Sequence, residues 1–150
     1  MRGLALLKRM LQRGLTGAAL VALAACYVPA DPEGTTEDVT GSTLRVGLLT
    51  PELDPLEDEV VARLAGALQA EVEVVTGDPH QLFDQLTHGA LHILAGQIPS
   101  DTPFADHAAL SDPLGVVMTY DGEADWVLLL RRGENRFLVT ANRAIKGAGR

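Results

Sequence analysis

Short apolar runs that alternate with amphipathic segments constrain the fold more than any other feature of the sequence. The apolar runs are Leu44–Leu49 and Leu91–Ala95, and the alternating segment Glu71–Val75 lies between them. Each amphipathic segment opens on an Asp-Pro pair, Asp54-Pro55 and Asp78-Pro79, in which Asp suits a helix cap and Pro the first helical turn. Buried strands that alternate with helices favour right-handed βαβ crossovers and a parallel sheet covered on both faces.

The last third of the chain predicts a hairpin and a closing helix. Two apolar runs, Leu114–Tyr120 and Trp126–Arg131, are separated only by Asp121–Ala124, whose composition is typical of a turn. Apolar residues at helical spacing then run from Glu134 to Ile145. The whole pattern predicts an α/β fold with about five strands in a mostly parallel sheet, helices on both faces and one antiparallel strand.

The amino-terminal residues predict export and a lipid anchor. Residues 1–25 combine a basic start with a short apolar stretch, as in a secretory signal peptide. The last four residues of this region, Leu23-Ala24-Ala25-Cys26, resemble the bacterial lipobox, which implies that the thiol of Cys26 is acylated. The protein is therefore expected on the periplasmic side of a bacterial membrane. Tyr27 follows the cysteine, which leaves the inner and the outer membrane as alternatives.

Composition separates a linker from the folded domain. Residues 26–42 follow the signal and are rich in Pro, Gly, Thr and acidic residues without periodicity, which predicts a flexible acidic linker. The folded domain is expected over 43–146, with a tail at 147–150. Its core should consist mainly of Leu, Val and Ala, because aromatic residues make up only 4% of the chain.

The charge balance argues against nucleic acid as a partner. After residue 25 the chain carries 8 Lys and Arg against 20 Asp and Glu, and such a surface repels phosphate backbones. A solvated acidic surface is the common explanation for this balance, and an acidic site for a cationic partner is the alternative.

Residues 43–146 resemble the extracytoplasmic solute-binding proteins of ABC transporters, in particular family 3, the amino-acid-binding type. The opening Leu44-Arg45-Val46-Gly47, the Ala95-Gly96 step after an apolar strand and the later Ser111-Asp112-Pro113 follow the order of that family's features. The run from Trp126 to Asn135 resembles the strand by which such proteins return from their second lobe to their first. The short turn at 121–124 stands where the second lobe would be.

The resemblance implies a single lobe of a type II periplasmic-binding-protein fold that binds a small solute for an ABC-type transport system. A lone lobe offers an open shelf, whereas typical pockets cover most of a ligand. The alternative is a degenerate lobe that serves as a protein-interaction or regulatory module in the cell envelope. An unrelated α/β fold also stays open.

The candidate ligand site is the set of loops at the carboxyl ends of the strands, where ligands bind in open α/β sheets. Family members hold a ligand carboxylate with an Arg three residues after the loop Thr, but here Thr102 is followed by Pro103, Phe104 and Ala105. The polar residues that remain are the tentative ligand-binding set, with ordinary loop capping as the alternative role. They are Thr50, Glu52, Gln97, Ser100, Asp101 and Thr102.

No catalytic or metal site is predicted. The four histidines, His80, His88, His92 and His107, lack the spacing of metal ligands, and no nucleophile has an identifiable base beside it. The sequence therefore indicates a protein that is not an enzyme and has no cofactor. The expected partners are a small solute or an envelope protein, the membrane through the lipid anchor, and a second copy through the hairpin edge near 114–120.

Overall fold

Six strands and four α-helices make up residues 29–149, the part of the chain that the computed structural model describes. The strands are β1 (Thr43–Leu48), β2 (Glu71–Thr76), β3 (Ile93–Pro99), β4 (Ala108–Leu110), β5 (Gly115–Thr119) and β6 (Gly122–Arg131). The helices are α1 (Thr35–Val39), α2 (Pro55–Leu68), α3 (Pro79–Thr87) and α4 (Asn135–Gly147), with a 3₁₀ turn at Ala105–His107. No helix within residues 29–149 is long and apolar enough to span a bilayer.

The strands form one sheet in the order β2-β1-β3-β6-β4, and β5 pairs with the first half of β6. β1 is parallel to β2 and β3, whereas β6 is antiparallel to β3, β4 and β5. Only β6 therefore runs against the other five strands, and the predicted α/β single-lobe fold with one antiparallel strand is confirmed. The sheet has six strands rather than about five, because the short segment Ala108–Leu110 also pairs with β6.

Two apolar cores lie on the two faces of the sheet. Alternate residues of β6 divide between them, as strand geometry requires. Leu128 and Leu130 face the core beneath α2 and α4, whereas Val127 and Leu129 face the core beneath α3. Trp126 precedes Leu128 by two residues and lies on the α2 side, which matters for the candidate site.

The hairpin is present, but its turn is shorter than predicted. β5 and β6 are joined by Tyr120 and Asp121 alone, and Thr119 pairs with Gly122. Gly122 has a φ of 125°, which a residue without a side chain adopts at little cost. The last three residues of the predicted turn, 122–124, therefore belong to β6.

β3 is longer than the apolar run that predicts it. It continues from Ala95 to Pro99, so that Gln97 lies in the strand and not in a loop. Gly96 and Gln97 have positive φ angles of 122° and 51°, and the register with β6 shifts between Leu94 and Ile98. This bulge lets pairing resume beyond the point where the hydrophobic pattern ends.

The linker prediction is wrong for the described residues up to 42. Asp31 accepts hydrogen bonds from the backbone nitrogens of Arg136 (2.7 Å) and Phe137 (3.1 Å) at the start of α4. Glu134 is buried and accepts from the backbone nitrogens of Glu33 (3.0 Å) and Thr35 (2.8 Å) at the start of α1. Asp31 thus caps α4, and Glu134 caps α1. We call this pair of carboxylates the terminal clamp. The signal peptide and Cys26 lie outside the described residues.

Candidate functional site

A buried carboxylate organises the carboxyl end of the sheet. Glu57 lies in the first turn of α2 and is 0% exposed. Its Oε1 accepts hydrogen bonds from the backbone nitrogens of Gly96 and Gln97, both at 2.9 Å, and from the indole nitrogen of Trp126 at 2.8 Å. Its Oε2 accepts from the backbone nitrogen of Asp54 at 3.4 Å. One side chain therefore joins α2, β3 and β6.

The two backbone donors come from the bulge in β3. Successive N–H groups in such a conformation point to one side and form a cradle that suits an anion. In this chain the protein's own Glu57 fills the cradle. An anionic group of a ligand would consequently have to displace that carboxylate to reach these donors.

The bulge also brings the loop after β1 close to β3. A Cβ on Gly96 would lie 2.9 Å from the backbone nitrogen of Thr50 and 3.0 Å from its Oγ1. Leu49 donates from its backbone nitrogen to the carbonyl of Ala95 at 2.9 Å. Only glycine leaves room for this approach, so Gly96 fixes the position of the loop.

A cavity opens next to this cluster. Its volume is about 470 Å³, and it lies between Gln97 and Pro99 of β3, Trp126 of β6 and residues 116–119 of β5. The carboxyl ends of parallel strands are the usual ligand position in open α/β sheets. Gln97 reaches the carboxylate of Asp54 through its Nε2 at 3.2 Å, which places an amide between the cavity and the cap of α2.

Of the six residues predicted for the site, Gln97 alone lines this cavity. The Thr50 hydroxyl donates to the carbonyl of Glu52 at 2.8 Å and thereby stabilises its own loop. The other three lie in the turn after β3, where Thr102 donates from its backbone nitrogen to the carbonyl of Pro99 at 3.0 Å. Ligand binding by these residues stays a prediction.

The turn after β3 is attached to the hairpin. The backbone nitrogen of Ser100 donates to the carbonyl of Asp125 at 2.7 Å, and the side chain of Asp101 is exposed. No Arg or Lys side chain lines the cavity. From residue 46 to residue 130 the sequence contains 15 Asp and Glu and a single Arg or Lys, Arg63. The site therefore favours neutral or cationic groups.

The histidines do not form a metal site. Within residues 29–149, no three His, Cys, Asp or Glu side chains lie close enough together to hold a metal ion. His92 is buried at the amino-terminal end of β3, and its Nδ1 accepts a hydrogen bond from the backbone nitrogen of Arg45 at 3.0 Å. Burial and the charge of Arg45 lower the pKa of His92 to about 4. His92 is therefore a neutral structural acceptor.

Two residues of the site, Glu57 and Trp126, are not among those that the sequence predicts for it. Glu57 follows Asp54 by three positions, which is the spacing of a capping box, and the structure contains that box. This local signal places Glu57 at a helix start but does not reveal its three further donors. Trp126 is predicted to start the return strand and to lie in the core, with an exposed binding aromatic as the alternative.

The sequence matches no protein-family profile and no curated protein. Solved structures, by contrast, are similar in fold. The arginine-bound form of domain 1 from TmArgBP aligns over 70% of this chain and 92% of its own, with a TM-score of 0.59 and 16% identity. An ancestral cationic amino acid solute-binding protein, AncCDT-1, covers 77% and 93% with a TM-score of 0.61 and 13% identity. The L-cystine solute receptor of Neisseria gonorrhoeae, unliganded and open, covers 75% and 90% with a TM-score of 0.58 and 12% identity. The chain thus has the fold of a solute-binding-protein lobe.

Proposed function

We propose that this domain binds a small polar solute in the cavity beside Gln97 and Trp126, as a lipoprotein of the cell envelope that serves an ABC-type transport system. The observation that carries the proposal is the position of the cavity. It lies at the carboxyl end of β3, next to a bulge that Glu57 holds in a fixed shape. A preformed site of this kind needs little reorganisation when a ligand binds.

A single domain of similar fold binds a small solute. Domain 1 of TmArgBP, taken by itself, has an arginine-bound structure, and this chain covers 92% of its length. The short hairpin in place of a second lobe is therefore compatible with solute binding. Closure of two lobes around the ligand, however, has no counterpart in a single lobe.

Electrostatics narrow the class of solute. Glu57 already occupies the backbone cradle, and no Arg or Lys lines the cavity. Glu52 and Asp101 are exposed on the neighbouring loops. A solute that carries an amino, guanidinium or amide group fits this environment, whereas a dicarboxylate would meet uncompensated negative charge.

Titration of intrinsic fluorescence tests the binding step, because Trp126 is the single Trp of the chain and lines the cavity. We would titrate the full chain in mild detergent with arginine, lysine, glutamine, cystine and glutamate. The expected result is a saturable change with a cationic or neutral amino acid and none with glutamate. Gln97→Ala should weaken binding about tenfold, the equivalent of one hydrogen bond, whereas Gln81→Ala on α3 should not. Failure of every solute would reject the proposal.

The anchor is tested separately. Cys26→Ser should move the protein from the membrane fraction to the soluble fraction of the envelope, because the hydroxyl cannot take the thioether-linked lipid. Retention of the variant in the membrane fraction would reject lipidation at this residue without touching the binding proposal.

A protein-interaction or regulatory module is the second candidate function. The observation that favours it is a stripe of exposed apolar side chains on the hairpin, Val116, Met118 and Tyr120. Such a surface is typical of contacts with another polypeptide. The stripe and the cavity share Val116 and Met118, so a partner bound to the stripe would lie beside the cavity.

A further inference from the structure

The two edges of the sheet differ in their protection. β2 forms one edge, and its Glu71 and Glu73 alternate with Val72 and Val74. Charged side chains of this kind discourage an edge strand from pairing with another chain. β5 continues the other edge along β6, and its sequence, Gly115–Thr119, contains neither a charge nor a proline. Within residues 29–149, no strand pairs with the outer side of β5.

The unprotected edge coincides with an exposed apolar stripe. Val116, Met118 and Tyr120 are 58%, 75% and 101% exposed, and their spacing of two places them on one face. The other exposed large apolar side chains of the described residues are the two valines of β2, which are less accessible, at 44% and 47%. Edge and stripe together form a surface that lacks a partner in the monomer.

We propose that β5 pairs in antiparallel fashion with β5 of a second copy, around a two-fold axis at Val117. Thr119 and Gly122 close the two-residue turn and therefore direct their backbone polar groups toward each other. Backbone N–H and C=O groups point to alternate sides along a strand, so those of Val116 and Met118 point to the free edge of β5. A two-fold axis at Val117 sets Val116 opposite the second copy's Met118, so that both residues find hydrogen-bond partners.

The side chains are compatible with this register. On the exposed face, Val116 and Met118 of each copy meet their counterparts and form a four-residue apolar cluster, a pairing that stabilises neighbouring strands. The acids of the hairpin, Asp121, Glu123 and Asp125, lie in the turn and on β6. The two β6 strands would be three strand spacings apart, about 14 Å, so that salt screens their repulsion.

The surface area that the two copies could bury against each other is small, which predicts a weak dimer. Three exposed side chains and one strand edge per copy bury on the order of 1,000 Å² in total, at the lower limit of specific interfaces. The association should therefore depend on protein concentration. Confinement to a membrane raises the effective concentration of both copies and favours the dimer.

The dimer also bears on the cavity, if the proposed solute site is correct. Residues 116–119 of β5 line that cavity, and Val116 and Met118 among them also belong to the proposed contact. In the proposed register the second copy's Val117 lies about 4.5 Å away between Cα atoms, at the rim of the cavity. The second copy's β5 would thus enlarge the lining of the cavity, on the side where a two-lobed protein would have its second lobe.

Cysteine cross-linking in native membranes tests the pairing and its register. A Val117→Cys chain should form a disulfide-linked dimer under mild oxidation, because paired Cα atoms at this spacing suit a disulfide. Val116→Cys should not, because residues 116 of the two copies are offset by two positions. The unsubstituted chain controls for Cys26, its only cysteine, and Val75→Cys on β2 controls for random collision.

A charge substitution then tests the apolar contact. Met118→Lys should abolish the cross-link of the Val117→Cys chain, whereas Val72→Lys at the protected edge should leave it unchanged. Both residues are exposed, so both variants should keep the native circular dichroism spectrum. The proposal is overturned by no dimer at position 117, by equal cross-linking at 117 and 75, by a dimer that survives Met118→Lys, or by a cross-linked partner of another mass.

Discussion

The indole nitrogen of Trp126 donates to the carboxylate of Glu57 at 2.8 Å and links the start of α2 to β6. The contact falls where β6 leaves the hairpin and enters the core, since Gly115 pairs with Trp126 and Val127 faces the core beneath α3. Glu57 therefore couples the shape of the bulge in β3 to the position of the hairpin.

Glu57→Gln should lower the free energy of unfolding by about 2 kcal/mol, because three donors lose a charged acceptor inside the protein. The single Trp reports the change directly, and we expect its emission to shift as the indole loses this partner. Chemical denaturation followed by fluorescence measures both effects. Asp58→Asn, on the exposed side of the same turn, is the control and should alter neither quantity. Equal effects of the two variants would contradict the role assigned to Glu57.

Gly96→Ala should destabilise the fold more than Gly122→Ala does. The two glycines have nearly the same φ, 122° and 125°, so the backbone cost of about 1–3 kcal/mol is shared. Only at Gly96 would the added methyl group meet a neighbour, the backbone nitrogen of Thr50 at 2.9 Å. Thermal unfolding of both variants should show an additional loss of about 1–3 kcal/mol for Gly96→Ala. Equal losses of stability in the two variants would mean that the loop after β1 can move away from the added methyl group at little cost.

Asp31→Ala should loosen α1 and its connection to α4. The change removes the cap of Arg136 and Phe137, which should cost about 1–2 kcal/mol. Hydrogen exchange of the amides of residues 33–39 should accelerate in the variant. Asp38→Ala, exposed on α1, is the matched control. Unchanged exchange after Asp31→Ala would show that the terminal clamp contributes little to order in this segment.

His92 should make the fold less stable in acid. Its pKa is lowered to about 4 in the folded protein, against about 6.5 when unfolded, first by burial and then by Arg45. Between these values only the unfolded state binds the proton, so stability falls as the pH decreases from 6.5 to 4, by up to about 3 kcal/mol. His92→Asn should flatten this part of the stability curve, whereas His107→Asn, which is exposed, should not. Parallel curves for the wild type and His92→Asn would contradict the assignment.

Local signals predicted the helices well. α2 and α3 begin at Pro55 and Pro79, directly after the aspartates whose side chains cap them. A cap needs only residues that are neighbours in sequence, so the sequence displays it in full. The hairpin was predictable for the same reason, since both strands and the turn lie within 17 residues.

The features that the sequence did not reveal depend on distant contacts. The bulge at Gly96 and Gln97 is held by a carboxylate about 40 positions earlier, and the order of residues 29–42 depends on Glu134, about 100 positions later. The sequence pattern and composition describe a residue's neighbours in the chain, and they do not identify hydrogen-bond partners that are distant in sequence. For this reason Gln97 was predicted for the site, but Glu57 and Trp126, which shape it, were not.

The terminal clamp would limit the orientation of the molecule at a membrane if Cys26 carries the proposed lipid. Asp31 follows Cys26 by five positions, a reach of at most about 18 Å. Asp31 sits at the start of α4, beside the amino-terminal end of β3, whereas the cavity lies at the other end of that strand. With Cys26 acylated, a monomer would have the amino-terminal end of β3 near the bilayer, and its cavity would open away from the membrane. In a dimer paired through β5, the two terminal clamps would lie at opposite ends of the joined sheet. The short segment between each lipid anchor and its clamp would then hold both ends near the bilayer, with the strands parallel to the membrane plane. Self-association would then change the direction from which a solute enters.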